Sequence, residues 1–175
     1  MKHSNFPIVA IGGLGGSGTR VVAAALQSFD YNIGTRLNVP LDNLWFTVLF
    51  KRRAWTVARP DPADVRSSIS LFQRATVSGL NGNINKTEQD LITTLCADLH
   101  PHGNWKPGAT TMDAESLIAS TQSLVPANVP WGWKEPNTHL FLPYLDAEIP
   151  NFHYIHVVRN GMDMAFSKNT WQMRH

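Results

Sequence analysis

Apolar positions in this chain come in short runs with two periods, and polar or glycine-rich punctuation separates them. Residues 8–11, Ile-Val-Ala-Ile, are continuous, apolar and largely β-branched, the signature of a strand buried on both faces in a parallel sheet. Beyond a glycine-rich interval, Val22, Ala25, Leu26 and Phe29 recur at helical spacing and predict a helix that buries one stripe. Residues 31–34 predict a short second strand. Residues 41–55 predict an aromatic-rich helix whose stripe of Trp45, Phe46, Leu49 and Phe50 reads as core. Asp61-Pro62-Ala63-Asp64 is a helix start, with an N-cap, proline at the first helical position and an acid in the first turn. That helix is expected to run to about Ser78 and to bury Val65, Ile69 and Phe72. Residues 79–85 are a loop by composition. Thr87 then opens a helix with the stripe Leu91, Leu95 and Leu99, and Asp113 caps another that ends near Leu124. Residues 130–134 predict a strand that ends in Lys134, residues 137–145 a helix, and residues 152–158 a further strand that delivers Arg159.

Strand, turn and helix in alternation make this an α/β chain with a parallel sheet. At 175 residues it is expected to form one domain, residues 1–175, with a helical insertion over about residues 41–125. Composition narrows the function classes. A net charge of +2, with no basic run longer than Lys51-Arg52-Arg53, argues against a nucleic-acid partner. No apolar run reaches the roughly 20 residues of a membrane helix, and the N-terminal residues lead directly into the first strand, so a cytoplasmic chain with no membrane partner is expected. The single cysteine, Cys96, allows no disulfide within the chain and reads as a small core residue. Asn85-Lys86-Thr87 matches a glycosylation sequon, which carries little weight without a secretory signal. Residues 100–112 have no clear period and are a candidate substrate loop; His100 and His102 alone are too few ligands for a metal site.

The chemistry concentrates in residues 12–20, GGLGGSGTR, which hold five of the chain's 12 glycines. Between a buried strand and a helix, such a loop aims backbone N–H groups and a helix N-terminus at an anion. Gly13, Gly15, Gly16 and Gly18 allow close approach of the backbone, Ser17 and Thr19 add hydroxyl donors, and Arg20 adds a charge. A nucleoside-triphosphatase loop wants GxxxxGK[ST], with lysine on the phosphates and a hydroxyl on Mg²⁺. From Gly13 the spacing to Gly18 fits, but Thr19 and Arg20 stand in the Lys and Ser/Thr places, and arginine cannot be a Mg²⁺ ligand. The loop suits an anion better than a metal-bridged triphosphate. Lys134 and Arg159 follow strands that run parallel to the first, so all three elements are expected on one edge of the sheet, where α/β proteins bind ligands.

Taken together, these residues resemble a sulfotransferase that uses 3′-phosphoadenosine 5′-phosphosulfate. In that family the glycine loop after the first strand holds the 5′-phosphosulfate. An arginine at the end of a later strand, with a serine eight residues on, holds the 3′-phosphate, and HVVRNGMDMAFS places Arg159 and Ser167 accordingly. Lys134 in GWKEP resembles the family's catalytic lysine. The resemblance covers residues 8–20 and 131–169 and leaves the middle unassigned. It implies a P-loop-like three-layer sandwich, no metal, a small-molecule nucleotide donor and a hydroxyl or amine acceptor. Two departures stand out. Gly16 takes the place where many members have a basic residue, which shifts that role to Lys134 or Arg20. The chain also ends eight residues after Ser167, so the C-terminal part of the family domain is expected to be missing. For the general base, cytosolic relatives use a histidine where this chain has Pro136. Other relatives use a carboxylate after the first helix, which points to Asp42, with Glu135 and His139 as alternatives. The competing classes are a P-loop kinase or nucleoside triphosphatase, and a non-catalytic binder of adenosine phosphates.

Overall fold

The computed structural model describes residues 6–99, 113–122, 125–126 and 129–166. Strand β1, Ile8–Gly13, is buried along its whole length and lies at the centre of a three-stranded parallel sheet. On one side it pairs with β2, Gly132–Lys134, with Ile11 beside Lys134; on the other it pairs with β3, Phe152–Val157, with Gly13 beside Val157. Helices flank both faces. Helix α1, Thr19–Ser28, follows the glycine loop and sets its Ala23 against Ile11 and Ile33 on one side.

The other face carries the helical region: α2 (Leu44–Phe50), α3 (Arg53–Val57), α4 (Pro62–Gln73), α5 (Lys86–Asp98) and α6 (Ala114–Ala119). All seven residues of α2 are buried, because this helix threads between the sheet and its neighbouring helices. Trp133 of β2 is the hub of that packing. Its ring stacks on Phe46 at 5.8 Å and on Phe152 at 5.7 Å, and meets Phe72 edge-on at 5.0 Å, within the range where aromatic pairs attract. After β2 a 3₁₀ segment, Pro136–Phe141, runs into α7, Leu142–Glu148; after β3 comes the short α8, Gly161–Ala165.

Several local expectations shift. The segment after α1 makes a single parallel bridge, Asn32 to Trp131, rather than a strand: the Asn32 side chain accepts the Gly34 N–H and turns the chain. The buried face of α1 runs through Thr19 and Ala23, with Val22 and Leu26 beside them, while Ala25 and Phe29 are exposed. The aromatic helix breaks in two at Lys51–Arg52, where the Arg52 guanidinium sits 3.5 Å above the Trp55 ring and donates to Ser68. The helix from Asp61 reaches Ser78 only by widening to a π-turn over Arg74–Ser78. Asn85, not Thr87, caps α5: its side chain and that of Glu88 exchange hydrogen bonds with each other's backbone N–H. Of the expected stripe Leu95 is buried and Leu99 packs against the core, but Leu91 is exposed and Ile92 and Cys96 join Leu95 on the buried face instead. Among the described residues, no helix is long and apolar enough to cross a membrane.

Candidate functional site

Because β1 is central and parallel to both neighbours, the carboxyl ends of all three strands open on one edge. The glycine loop leaves from the middle, Lys134 ends the strand on one side, and Arg159 lies two residues past the strand on the other. Gly18 forms the N-cap of α1 in the left-handed region, at φ 101°, and a side chain built on it would meet no atom of the described residues within 4 Å. The helix N-terminus therefore faces open space on that side, as an anion cradle requires. Gly13 has a different reason to be glycine: a Cβ there would run into the Val157 carbonyl of β3. Its absence lets the strand end and the loop close on each other.

Within the loop, Gly15, Gly16 and Gly18 are half-buried, Thr19 is buried in the first turn of α1, and Arg20 is exposed. Ser17 is buried, and its hydroxyl has no hydrogen-bond partner among the described residues. The Arg159 guanidinium reaches the loop across 143 positions of sequence, with Nη1 3.4 Å from the Gly16 carbonyl. A small cavity of about 50 Å³ lies between them, lined by Leu14, Ser17, His156, Arg159 and Met164 among others. Ser167, assigned with Arg159 to the same phosphate, lies outside the described residues, as do His100 and His102 and the rest of the candidate substrate loop.

On the β2 side the fold joins the two residues assigned to catalysis. Lys134 forms a buried ion pair with Asp42, which is 92 positions earlier, and donates a second hydrogen bond to the Pro40 carbonyl at 3.1 Å. Asn38 holds Asp42 from the other side. Its amide donates to Oδ2 at 2.8 Å, and its carbonyl oxygen accepts the Asp42 N–H at 2.7 Å. Residues 38–42 thus form a strap over the lysine, closed by the Asn43 N–H donating to the Lys134 carbonyl at 2.7 Å. The contribution of Asn38 and Pro40 is not visible in the hydrophobic pattern; the only local trace is a short Asn-x-Pro-x-Asp spacing.

The alternatives for the base fare differently. Glu135, directly after Lys134, is 1% exposed, and both its oxygens accept from Asn137, by the backbone N–H at 2.6 Å and the side-chain amide at 3.1 Å. Burial pushes its carboxyl up to about 7; Asp42 adds to the rise, while Lys51 and the Asn137 hydrogen bonds oppose it. His139 is exposed and hydrogen-bonded to the Pro136 carbonyl at 3.0 Å. Cys96 is a buried thiol raised to about 11, chiefly by desolvation, in keeping with a core role. No family model, no curated protein and no solved structure matches this chain.

Proposed function

We propose that this chain is a sulfotransferase of P-loop-like, three-layer architecture that takes the sulfuryl group from 3′-phosphoadenosine 5′-phosphosulfate and places it on a hydroxyl or amine acceptor. One observation carries the reading: the order Lys134, glycine loop, Arg159 across a single edge of the sheet. Two cationic groups flank a backbone anion cradle, where a triphosphatase would set a lysine within the loop and a metal-holding acid beside it.

The step is an in-line displacement. The acceptor oxygen or nitrogen forms a bond to sulfur as the bond from sulfur to the bridging phosphate oxygen breaks. Negative charge grows on that leaving oxygen, and the acceptor proton passes to a base. Backbone N–H groups at the start of α1, with Thr19 and Arg20 in its first turn, would grip the 5′ end of the donor. Arg159 would bind the 3′-phosphate. Lys134 would supply positive charge to the leaving oxygen, and Asp42, less deeply buried than Glu135, would take the proton.

A second reading, a binder of adenosine phosphates without transfer, draws on the same pair: Lys134 and Asp42 neutralise each other and the strap holds both in place. Labelled sulfate from the donor, offered with a broad panel of phenols, sugars and amines, separates the two. Transfer to any acceptor supports the enzyme. Tight binding of adenosine 3′,5′-bisphosphate with no transfer supports the binder, and stabilisation by ATP with Mg²⁺ alone would displace both in favour of a kinase-like enzyme.

A further inference from the structure

Lys134 and Asp42, the two groups given to the chemistry, satisfy each other. Two of the three N–H donors of Lys134 go to Asp42 Oδ1 and, at 3.1 Å, to the Pro40 carbonyl. Only 3% of the lysine side chain is exposed. Asp42 is engaged at both oxygens, Oδ1 by Lys134 and Oδ2 by the Asn38 amide at 2.8 Å. In this arrangement the strap takes up the charge of the lysine, although Lys134 lies in register with Ile11 on the strand that enters the glycine loop.

The strap is anchored unevenly. Its base is fixed: Leu37 and Asn43 form an antiparallel bridge, the Leu44 N–H donates to the Arg36 carbonyl at 2.9 Å, and the Asn43 side chain caps α2 at the Phe46 N–H. Its tip leaves Val39 76% exposed and holds Leu41 at φ 66°, in the left-handed region that a leucine disfavours. Buried Asn38 keeps the tip in that shape. Its side-chain carbonyl accepts the Asp42 N–H at 2.7 Å, and its backbone carbonyl accepts the Leu41 N–H at 2.9 Å. Strain of this kind persists only where the surroundings hold it, and it collects in segments that switch. Lifting the tip would relieve Leu41 and free Lys134 and Asp42 in one movement.

We infer that residues 38–42 are a latch, which withholds Lys134 and Asp42 in the free protein and opens when an anion at the glycine loop replaces Asp42 as the partner of the ammonium. The inference rests on the sulfotransferase reading above and adds the regulation of that site. Asn38 is a positioning residue that sets how much of the protein is open. Apparent affinity for the anion is the intrinsic affinity scaled by that open fraction.

Asn38→Ala tests the latch. In the closed strap it strands the Asp42 N–H and one carboxylate oxygen, whereas in the open strap water satisfies both. The variant should melt lower than wild type and yet bind adenosine 3′,5′-bisphosphate on the order of 5- to 10-fold tighter. A lower melting temperature with equal or weaker binding is what a purely structural strap gives, and it would overturn the latch. A second measurement needs no variant. In wild type saturated with the bisphosphate, the Leu41 and Asp42 amides should exchange with solvent faster than in the free protein, while those of β1 do not. Unchanged or slower exchange at both amides would also overturn it. If the bisphosphate binds neither protein, the nucleotide reading falls by itself, and inorganic sulfate replaces it in both measurements with the same outcomes deciding. If sulfate binds neither protein, no anion opens the strap and the latch falls as well.

Discussion

Gly18 and Glu135 show how single residues in this site are constrained for opposite reasons. Gly18 needs its left-handed backbone and leaves empty space where a side chain would project. Gly18→Ala should cost about 1–2 kcal/mol of stability through the backbone. It should lower nucleotide affinity by on the order of tenfold or more, because the methyl group enters the anion's approach. Titration calorimetry alongside denaturant melts separates the two effects, and unchanged affinity would remove the loop from the binding site. Glu135 is constrained by burial. Its folded value of about 7 lies above its ordinary 4.5, so the fold favours the protonated acid. The resulting contribution is whole below about pH 4.5, shrinks as the pH rises and is gone above about pH 7, a change on the order of 3 kcal/mol. Urea midpoints measured across that range should fall with pH in wild type. They should fall less in Glu135→Gln, and parallel curves would mean that the acid is ionised throughout.

At the scale of elements, the strap of residues 38–42 and the end of β2 form one unit. Lys134 is 3% and Asp42 14% exposed in its side chain, so neither charge can be left alone cheaply. Lys134→Met should destabilise the fold by about 3–5 kcal/mol, since it strands the Asp42 carboxylate. Adding Asp42→Asn should recover part of that loss, and strictly additive costs in the double variant would show that the pair is not coupled. A rate defect in a Lys134 variant therefore has two sources, missing charge at the leaving oxygen and a displaced strap. Only the first should persist in the Lys134→Met, Asp42→Asn variant once that variant is shown to be folded.

For the molecule as a whole, the strand order places the cations at the two sides of the cradle, and the two acids on the β2 side are already engaged. Asp42 is engaged by Lys134 and Asn38, and Glu135 by Asn137. Binding of adenosine 3′,5′-bisphosphate should consequently be insensitive to EDTA, with charge neutralised by side chains and backbone rather than by a divalent ion. A loss of affinity in EDTA that Mg²⁺ restores would favour a kinase-like enzyme instead.

Local chemistry alone determined a good deal of this protein. The buried strand at residues 8–11, the glycine turn, the Asp61 and Asp113 caps and the strand before Arg159 are all legible, because each depends on a residue's own backbone preferences and its near neighbours. The stripes of α1 and α5 were legible only to within a position or so, since the partner surfaces choose among adjacent apolar residues. Tertiary structure decided the rest. A strand's sequence does not say which strand lies beside it, and the order β2-β1-β3 is what sets Lys134 and Arg159 on opposite sides of the loop. Asp42 could be named as a candidate through the resemblance, but its ion pair with Lys134 spans 92 positions and depends on how the strap crosses β2. That the Ser17 hydroxyl is buried without a partner among the described residues is likewise a property of the fold, since only packing determines which polar atoms are cut off from water.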